Sequence, residues 1–440
     1  MSLSPSVNPV KPSANAGSAP VRRAAQNHHH VVAPSLNLAD NAAASVFAAA
    51  RMRGPLARDA IARLTSLSIA TVNRQVGALL EAGLLRERAD LSASGAIGRP
   101  RVPVEVNHEP FMTLGIHIGA RTTNIVATDL LGRTLDVVEI PTAPGRPEVA
   151  LAGIAETAKR YLRRWHRRRT LWVGVAVGGI VDSASGTVTH PRLGWLSAPV
   201  GAILASVLGL RVSVASHVDS MAAAELILGL RRFTAPHSTS LYVYARETVG
   251  YALVIDGRVH SPQSGPGSIA GLPVHSELLG HSGTLESTVS DEAVLTAARR
   301  LRILPRDGVG STVATLLQVV RNSDRDGRGT ARDGARQLLN ERARVLGESL
   351  ALLRDVLNPD EIVVGGQAFT TYPEGIAELE KGFASKSILP QREIRMTAFG
   401  NRVQEAGAGI VSLSALYADP IAAMRRAQAI AVTPAGVTAI

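Results

Sequence analysis

The 440-residue chain has no cysteine, which rules out disulfides and any zinc site built on thiolates. Lysine is nearly missing too: only Lys11, Lys159, Lys381 and Lys386 occur, and arginine supplies the rest of the 47 basic residues, as GC-rich coding tends to give. Long apolar runs are absent. The longest, Leu171 to Val181, reaches about half of what a bilayer-spanning helix needs. No charged-then-apolar leader opens the chain, and no segment repeats at solenoid length. These absences lead to the expectation of a cytoplasmic protein with no membrane partner.

What is present fits a globular chain, with 45% apolar and 19% charged residues. The length is too great for one compact core, so two to three domains are expected. The net charge of +11 is unevenly placed. Residues 1–105 hold 12 basic and 6 acidic residues, a surplus of 6, whereas the other 335 hold 35 and 30, a surplus of 5. More than half the excess sits in under a quarter of the chain, which points to a polyanion as partner of the N-terminal part.

Residues 1–38 show no apolar period, carry five prolines and read as a disordered tail. A compact unit follows over 39–105. Asp40 is positioned to cap a helix over Ala42–Arg53, and Gly54-Pro55 ends it. A short helix over Leu56–Leu64, a turn at Thr65–Ser68, and a third helix from Ile69 to Ala82 come next. Val72, Val76, Leu79 and Leu80 form the buried stripe of that third helix, and Gly83 stops it. Leu84–Glu87 starts a strand, and Gly98-Arg99-Pro100-Arg101 leads back towards Val104. Helix, turn, helix and basic hairpin is the layout of a winged helix-turn-helix, whose third helix enters the major groove. The side chains left outside its stripe are Ser68, Thr71, Asn73, Arg74 and Gln75. Asn and Gln can pair with adenine, Arg with guanine or phosphate, and Ser and Thr with phosphate at the helix start. Arg99 and Arg101 on the wing suit the DNA backbone or the minor groove.

The remaining chain alternates strands and helices after opening hairpins, as mixed-sheet α/β lobes do. The arginine run over 163–169 ends a helix just before a strand and reads as a solvated helix end. The landmarks in this part are Leu114-Gly115-Ile116-His117-Ile118-Gly119, Leu193-Gly194-Trp195, Ala222-Ala223-Ala224-Glu225, Asp256-Gly257, and Leu357 to Gly366. With the N-terminal unit, this series resembles regulators of the ROK family (repressors, open reading frames and kinases) over about residues 41–425. The resemblance implies an actin-like ATPase fold of two α/β lobes around a cleft, spanning 106–425, with a short tail at 426–440. It also implies a sugar or sugar-phosphate effector and a homo-oligomer.

The departures from the family's kinase pattern are as telling. The metal-organising Asp of the family is His117 here, and Arg121 fills the turn that should be open. The catalytic Asp is replaced by His217 in Ser216-His217-Val218-Asp219. The glycine-rich phosphate loop reads Arg246-Glu247-Thr248-Val249-Gly250-Tyr251-Ala252 and keeps one glycine. In the sugar motif, His275 survives while the Glu is Leu272. The zinc loop over Glu277–Glu286 has lost its three thiolates, which leaves no metal site expected. His275, Glu286 and His217 remain as candidate effector contacts. The reading is thus a DNA-binding transcriptional regulator with a catalytically inactive sugar-kinase-like domain, no cofactor, and double-stranded DNA as partner. Its rival is an ATP-dependent sugar kinase carrying a DNA-binding appendage.

Overall fold

A computed structural model describes residues 30–91, 102–229, 238–262, 265–306, 310–321, 329–390 and 392–432. The N-terminal unit contains helices α1 (Ala42–Arg53), α2 (Arg58–Thr65) and α3 (Ile69–Glu81), then the antiparallel pair β1 (Leu85–Glu87) and β2 (Val104–Val106). Asn41, not Asp40, caps α1, its side chain accepting the Ala44 N–H at 2.9 Å. The second helix begins two residues later than expected because Leu56 is held in extended form. It exchanges both backbone hydrogen bonds with Val104, at 2.9 and 2.8 Å. Val46, Phe47, Ile61, Val72, Val76 and Leu79 are fully buried between the three helices. Each such side chain stabilises the unit by roughly 1.5–3 kcal/mol. Gly83, at φ +73°, ends the third helix as its sequence position suggests.

Two lobes repeat one sheet plan. The first contains β3 (Phe111–Ile118), β4 (Thr122–Thr128), β5 (Thr134–Pro141), β6 (Arg169–Val177) and β10 (Val212–Ser216), ordered β10-β6-β3-β4-β5. Its first three strands form an antiparallel meander, and β6 and β10 run parallel to β3. Helices α4 (Pro147–Arg163) and α5 (Val200–Leu208) cover it. A small sheet of β7 (Ile180–Asp182), β8 (Thr187–His190) and β9 (Trp195–Ala198) sits at its end. The second lobe has β11 (Thr239–Ala245), β12 (Val249–Ile255), β13 (Arg258–His260), β16 (Glu361–Gly365) and β17 (Ile394–Met396) in the order β13-β12-β11-β16-β17. Again a meander is followed by parallel strands. Between the sheets lies α6 (His217–Leu228). The hairpin β14 (Pro273–Ser276) and β15 (His281–Thr284) and helices α7 (Leu285–Val289), α8 (Asp291–Arg300), α9 (Val313–Arg321), α10 (Gly329–Leu357), α11 (Gln367–Thr370) and α12 (Ile376–Lys386) complete the lobe.

The chain then returns to the first lobe as α13 (Val403–Ala418) and α14 (Pro420–Val432). The run Ala406-Gly407-Ala408-Gly409 is a weak helix former by propensity. Its purpose is close packing. A Cβ on Gly174 would lie 2.0 Å from the Ser412 nitrogen, and one on Gly115 would lie 2.7 Å from the Ala408 carbonyl carbon. Helix α14 continues past residue 425, so the C-terminal tail expected from 426 is helical through Val432. No single helix among the described residues is long and apolar enough to cross a membrane. Gly400–Ala418 and Pro420–Ala429 pass such a test only as a pair bent by 105°.

The expectation of a disordered tail through residue 38 fails for its last part. From His30 to Asp40 the chain forms a strap along the edges of both sheets. Val32 donates its N–H to Val212 at 2.9 Å, and Ser213 Oγ donates to the Val32 carbonyl at 2.7 Å. Farther on, Leu38 N–H bonds the Gly257 carbonyl and Val259 N–H bonds the Leu36 carbonyl, each at 2.9 Å. The edge strands β10 and β13 leave backbone groups unpaired, and the strap satisfies several of them. Residues 1–29 lie outside the described residues.

Candidate functional site

A cavity of about 310 Å³ opens between the lobes. Its floor is made where strands end. His117 stands near the end of β3, Gly178 and Gly179 follow β6, and His217 begins α6 directly after β10. The His117 and His217 rings stack with centroids 6.0 Å apart and planes 16° apart, and Tyr244 meets His217 edge-on at 5.2 Å. Burial pushes the His117 imidazole well below its usual range, helped by His217 and Arg246. Burial, with His190 nearby, takes His217 down to about 4, and burial also lowers His190. All three are therefore neutral at pH 7. His117 Nε2 is buried without a hydrogen-bond partner.

The second lobe closes the cavity with the turn between β11 and β12. Arg246 Nη1 donates to Gln404 Oε1 at 2.9 Å, and Gln404 Nε2 donates to the Tyr244 hydroxyl at 2.8 Å. Glu286 accepts from Arg192 Nη2 at 2.9 Å and from the Val249 N–H at 3.3 Å. Glu286 and Glu247 are the cavity's only carboxylates among the described residues. The polar groups here mostly answer one another.

The N-terminal unit presents the opposite condition. Ser68 caps α3, accepting the Thr71 N–H at 3.2 Å, while its hydroxyl donates to Thr71 Oγ1 at 3.0 Å. Asn73 and Arg74 are exposed and Gln75 is half-buried, all outside the buried stripe of Val72, Val76 and Leu79; Leu80, expected in that stripe, is only partly buried. At the base of the hairpin, Glu105 accepts from Arg86 at 2.7 Å and from Arg88 at 3.0 Å. Burial opposes ionisation of Glu105, but the two guanidinium groups outweigh it and hold its carboxyl below the usual range. Arg99 and Arg101 lie outside the described residues.

The ROK family model matches residues 113–411 of this chain. The chain belongs to the ROK family. It is 68% identical over 412 residues to the transcriptional regulator Rv0485 of Mycobacterium tuberculosis, an overlap covering 92% of each chain. It is 23% identical over 342 residues to the DNA-binding transcriptional dual regulator NagC of Escherichia coli, covering 74% of this chain and 80% of NagC. Among solved structures, a ROK family transcriptional regulator homologous to E. coli MLC superposes with a TM-score of 0.69 at 20% identity, covering 88% of this chain and 98% of the other. A ROK glucokinase from Streptomyces griseus, solved with glucose and AMPPNP, gives 0.55 at 21% identity, covering 68% and 99%. These neighbours share the actin-like kinase fold of the two lobes.

A magnesium–nucleotide complex, which the resemblance to the family's kinases implies for this cleft, does not match the residues present. An imidazole replaces the hard-oxygen ligand at His117. Side chains fill the turn over 246–249, where the Arg246 N–H is turned back on the Thr248 carbonyl at 3.0 Å. A structural zinc does not fit either: His275 is exposed and bonded to Ser282 Oγ at 3.0 Å, and no metal-holding group of three His, Asp or Glu occurs among the described residues. Of the three candidate effector contacts, His217 and Glu286 line the cavity, whereas His275 lies outside it on β14. Sequence reasoning missed His190, Arg192, Tyr244 and Gln404. They come from three separate segments, His190 and Arg192 on one and Tyr244 and Gln404 on two others, and no local motif marks them.

Proposed function

We propose that this chain is a DNA-binding transcriptional regulator whose ROK domain has lost phosphotransfer and serves in dimerisation and effector sensing. The N-terminal helices and hairpin act as a winged helix-turn-helix over about residues 39–105, and α3 reads the major groove. The observation that carries this reading is the exposed face of α3, where Asn73 and Arg74 make no hydrogen bond to any described residue. Ser68, Thr71 and Gln75 flank them, and Arg99 and Arg101 add backbone contacts from the wing. The transcriptional regulator that is 68% identical supports the same reading.

Effector sensing is supported by two helices. Helix α6 begins in the cleft at His217, α13 brings Gln404 into it, and both end against α1 of the N-terminal unit. The effector is of the sugar or sugar-phosphate class, in line with relatives named as xylose and N-acetylglucosamine repressors. A unit of this size reads one half-site, so the working form is a homodimer.

Phosphotransfer rests on positioned metal, phosphate cradle and base, and all three are altered here. Sugar-dependent ADP release should stay at background across hexoses and amino sugars, while the same preparation retains a duplex selected from a random pool. Turnover near the low end for kinases, about one per second, that disappears in His217→Ala would overturn the regulator reading in favour of a sugar kinase.

A further inference from the structure

The N-terminal unit is not hung on a flexible linker. Its buried residues Val46, Phe47, Val72 and Val76 belong to one continuous apolar core with Met221 and Leu416 of the ROK domain. Polar contacts fix the seat from several sides. Arg51 Nη2 donates to the Ile227 carbonyl at 3.0 Å, and its guanidinium lies 4.7 Å above the Tyr417 ring, which also meets Phe47 at 6.1 Å. Asn41 Nδ2 donates to the Ala418 carbonyl at 2.6 Å. Ile227 and Ala418 stand in the last turns of α6 and α13, where carbonyls lack helical partners and the helix carries partial negative charge. Arg51 and Asn41 thus cap two ROK-domain helices from the N-terminal unit. The strap before α1 adds anchors on both lobes, at Val212 and Ser213 and at Gly257 and Val259.

We infer that this dock, with Arg51 and Asn41 as its positioning residues, sets the half-site spacing that the regulator accepts. The inference rests on the DNA-reading function proposed above. In a symmetric dimer, the distance and rotation between two α3 helices follow from the dimer axis and from how each unit sits on its own ROK domain. A loosely tethered unit could follow half-sites around the duplex. A unit held by a shared core, two helix-end caps and a two-lobe strap cannot, so one spacing is selected. Arg51 and Asn41 themselves face the ROK domain and touch no DNA-reading residue, so they act on spacing and not on base choice.

The test uses the full-length protein and a palindromic site selected from a random duplex pool, with the half-sites then moved apart in single base-pair steps across one helical turn. Wild type should show one optimum, with a loss of about tenfold or more half a turn away. Arg51→Ala and Asn41→Ser should keep affinity for an isolated half-site within about twofold and flatten the spacing profile to within about threefold. Asn41→Ser is informative because serine still caps α1 while the amide donor to Ala418 is lost. It guards against a folding defect in Arg51→Ala. A variant profile as sharp as wild type, at equal half-site affinity, overturns the dock as the determinant of spacing while the DNA reading stands. A wild type that shows no spacing preference also overturns it. Failure of wild type to retain any duplex overturns the DNA reading itself.

Discussion

The cleft and the face of α3 both carry polar side chains, yet they differ in where those side chains find partners. In the cleft, Arg192 answers Glu286, Arg246 answers Gln404 and Gln404 answers Tyr244, while three imidazoles are held neutral by burial. On α3, Asn73 and Arg74 stand exposed above a stripe that is itself fully buried. The difference follows from enclosure. Polar groups held between two lobes lie close enough to pair with one another, whereas those on an exposed helix face keep their donors and acceptors open to solvent.

The sharpest way to break this comparison is at a buried group two residues beyond His217 on α6 that has not found a full set of partners. Asp219 is 4% exposed, its Oδ1 has no hydrogen-bond partner, and burial pushes its carboxyl up to about 7. Between the ordinary carboxyl range and pH 7 the folded protein therefore holds a proton that the unfolded chain has released. Stability from this group is full at acid pH and declines as pH rises through about 7. His217 and His117 act in the opposite sense, favouring the folded state above the usual imidazole range and losing that stability as pH falls. Asp219→Asn should remove only the first contribution. The unfolding free energy of the variant minus that of wild type, from urea titrations, should climb by roughly 2–4 kcal/mol between pH 4 and 8. A flat difference would mean that the carboxyl is solvated.

On α3 the expected effect is smaller and specific. Asn73→Ala and Arg74→Ala should each cost about 1–3 kcal/mol on the selected site and less on random duplex. Equal losses on both DNAs would assign these residues to the phosphate backbone. The comparison would then hold for exposure but not for base readout.

How much of this was legible in the sequence depends on whether the signal is local. Strand β3 at Phe111–Ile118 and β16 at Glu361–Gly365 are legible, because mostly apolar runs between turn residues leave little choice. The helices of the N-terminal unit were read from their periodic stripes and the stop at Gly83. Helix α13 is not legible, because the glycines of Ala406–Gly409 weaken any local helix signal, and only the sheet glycines Gly115 and Gly174 show what small residues achieve there. The strap over residues 30–40 was missed for a related reason. Its order comes from pairing with two distant strand edges, and Pro34 with its polar neighbours gives no local hint of that. His117 and His217 were marked by an expected motif, whereas His190, Arg192 and Gln404 reach the cleft only through tertiary folding.

The finest test lies between the two regions, at the hairpin base, where polar groups of the N-terminal unit proposed to read DNA are nonetheless paired. Arg86 bonds Glu105 and Glu109, and Arg88 bonds Asp90 and Glu105, so four carboxylate contacts hold two guanidinium groups. Glu105 is the partner they share and the least exposed of the three carboxylates, at 16% against about 60% for the others. Glu105→Gln should leave each arginine with one exposed partner, a kind of pair that contributes little in water. The freed charge becomes available to phosphate. Duplex affinity at low salt should therefore rise, by a few tenths of a kcal/mol, and the slope of log K against log salt should steepen by about one. Thermal stability should fall by about 1 kcal/mol or less, since the glutamine amide oxygen still accepts from one of the two guanidinium groups. An unchanged slope would place the hairpin base away from the backbone and confine the electrostatic contact to α3 and the wing.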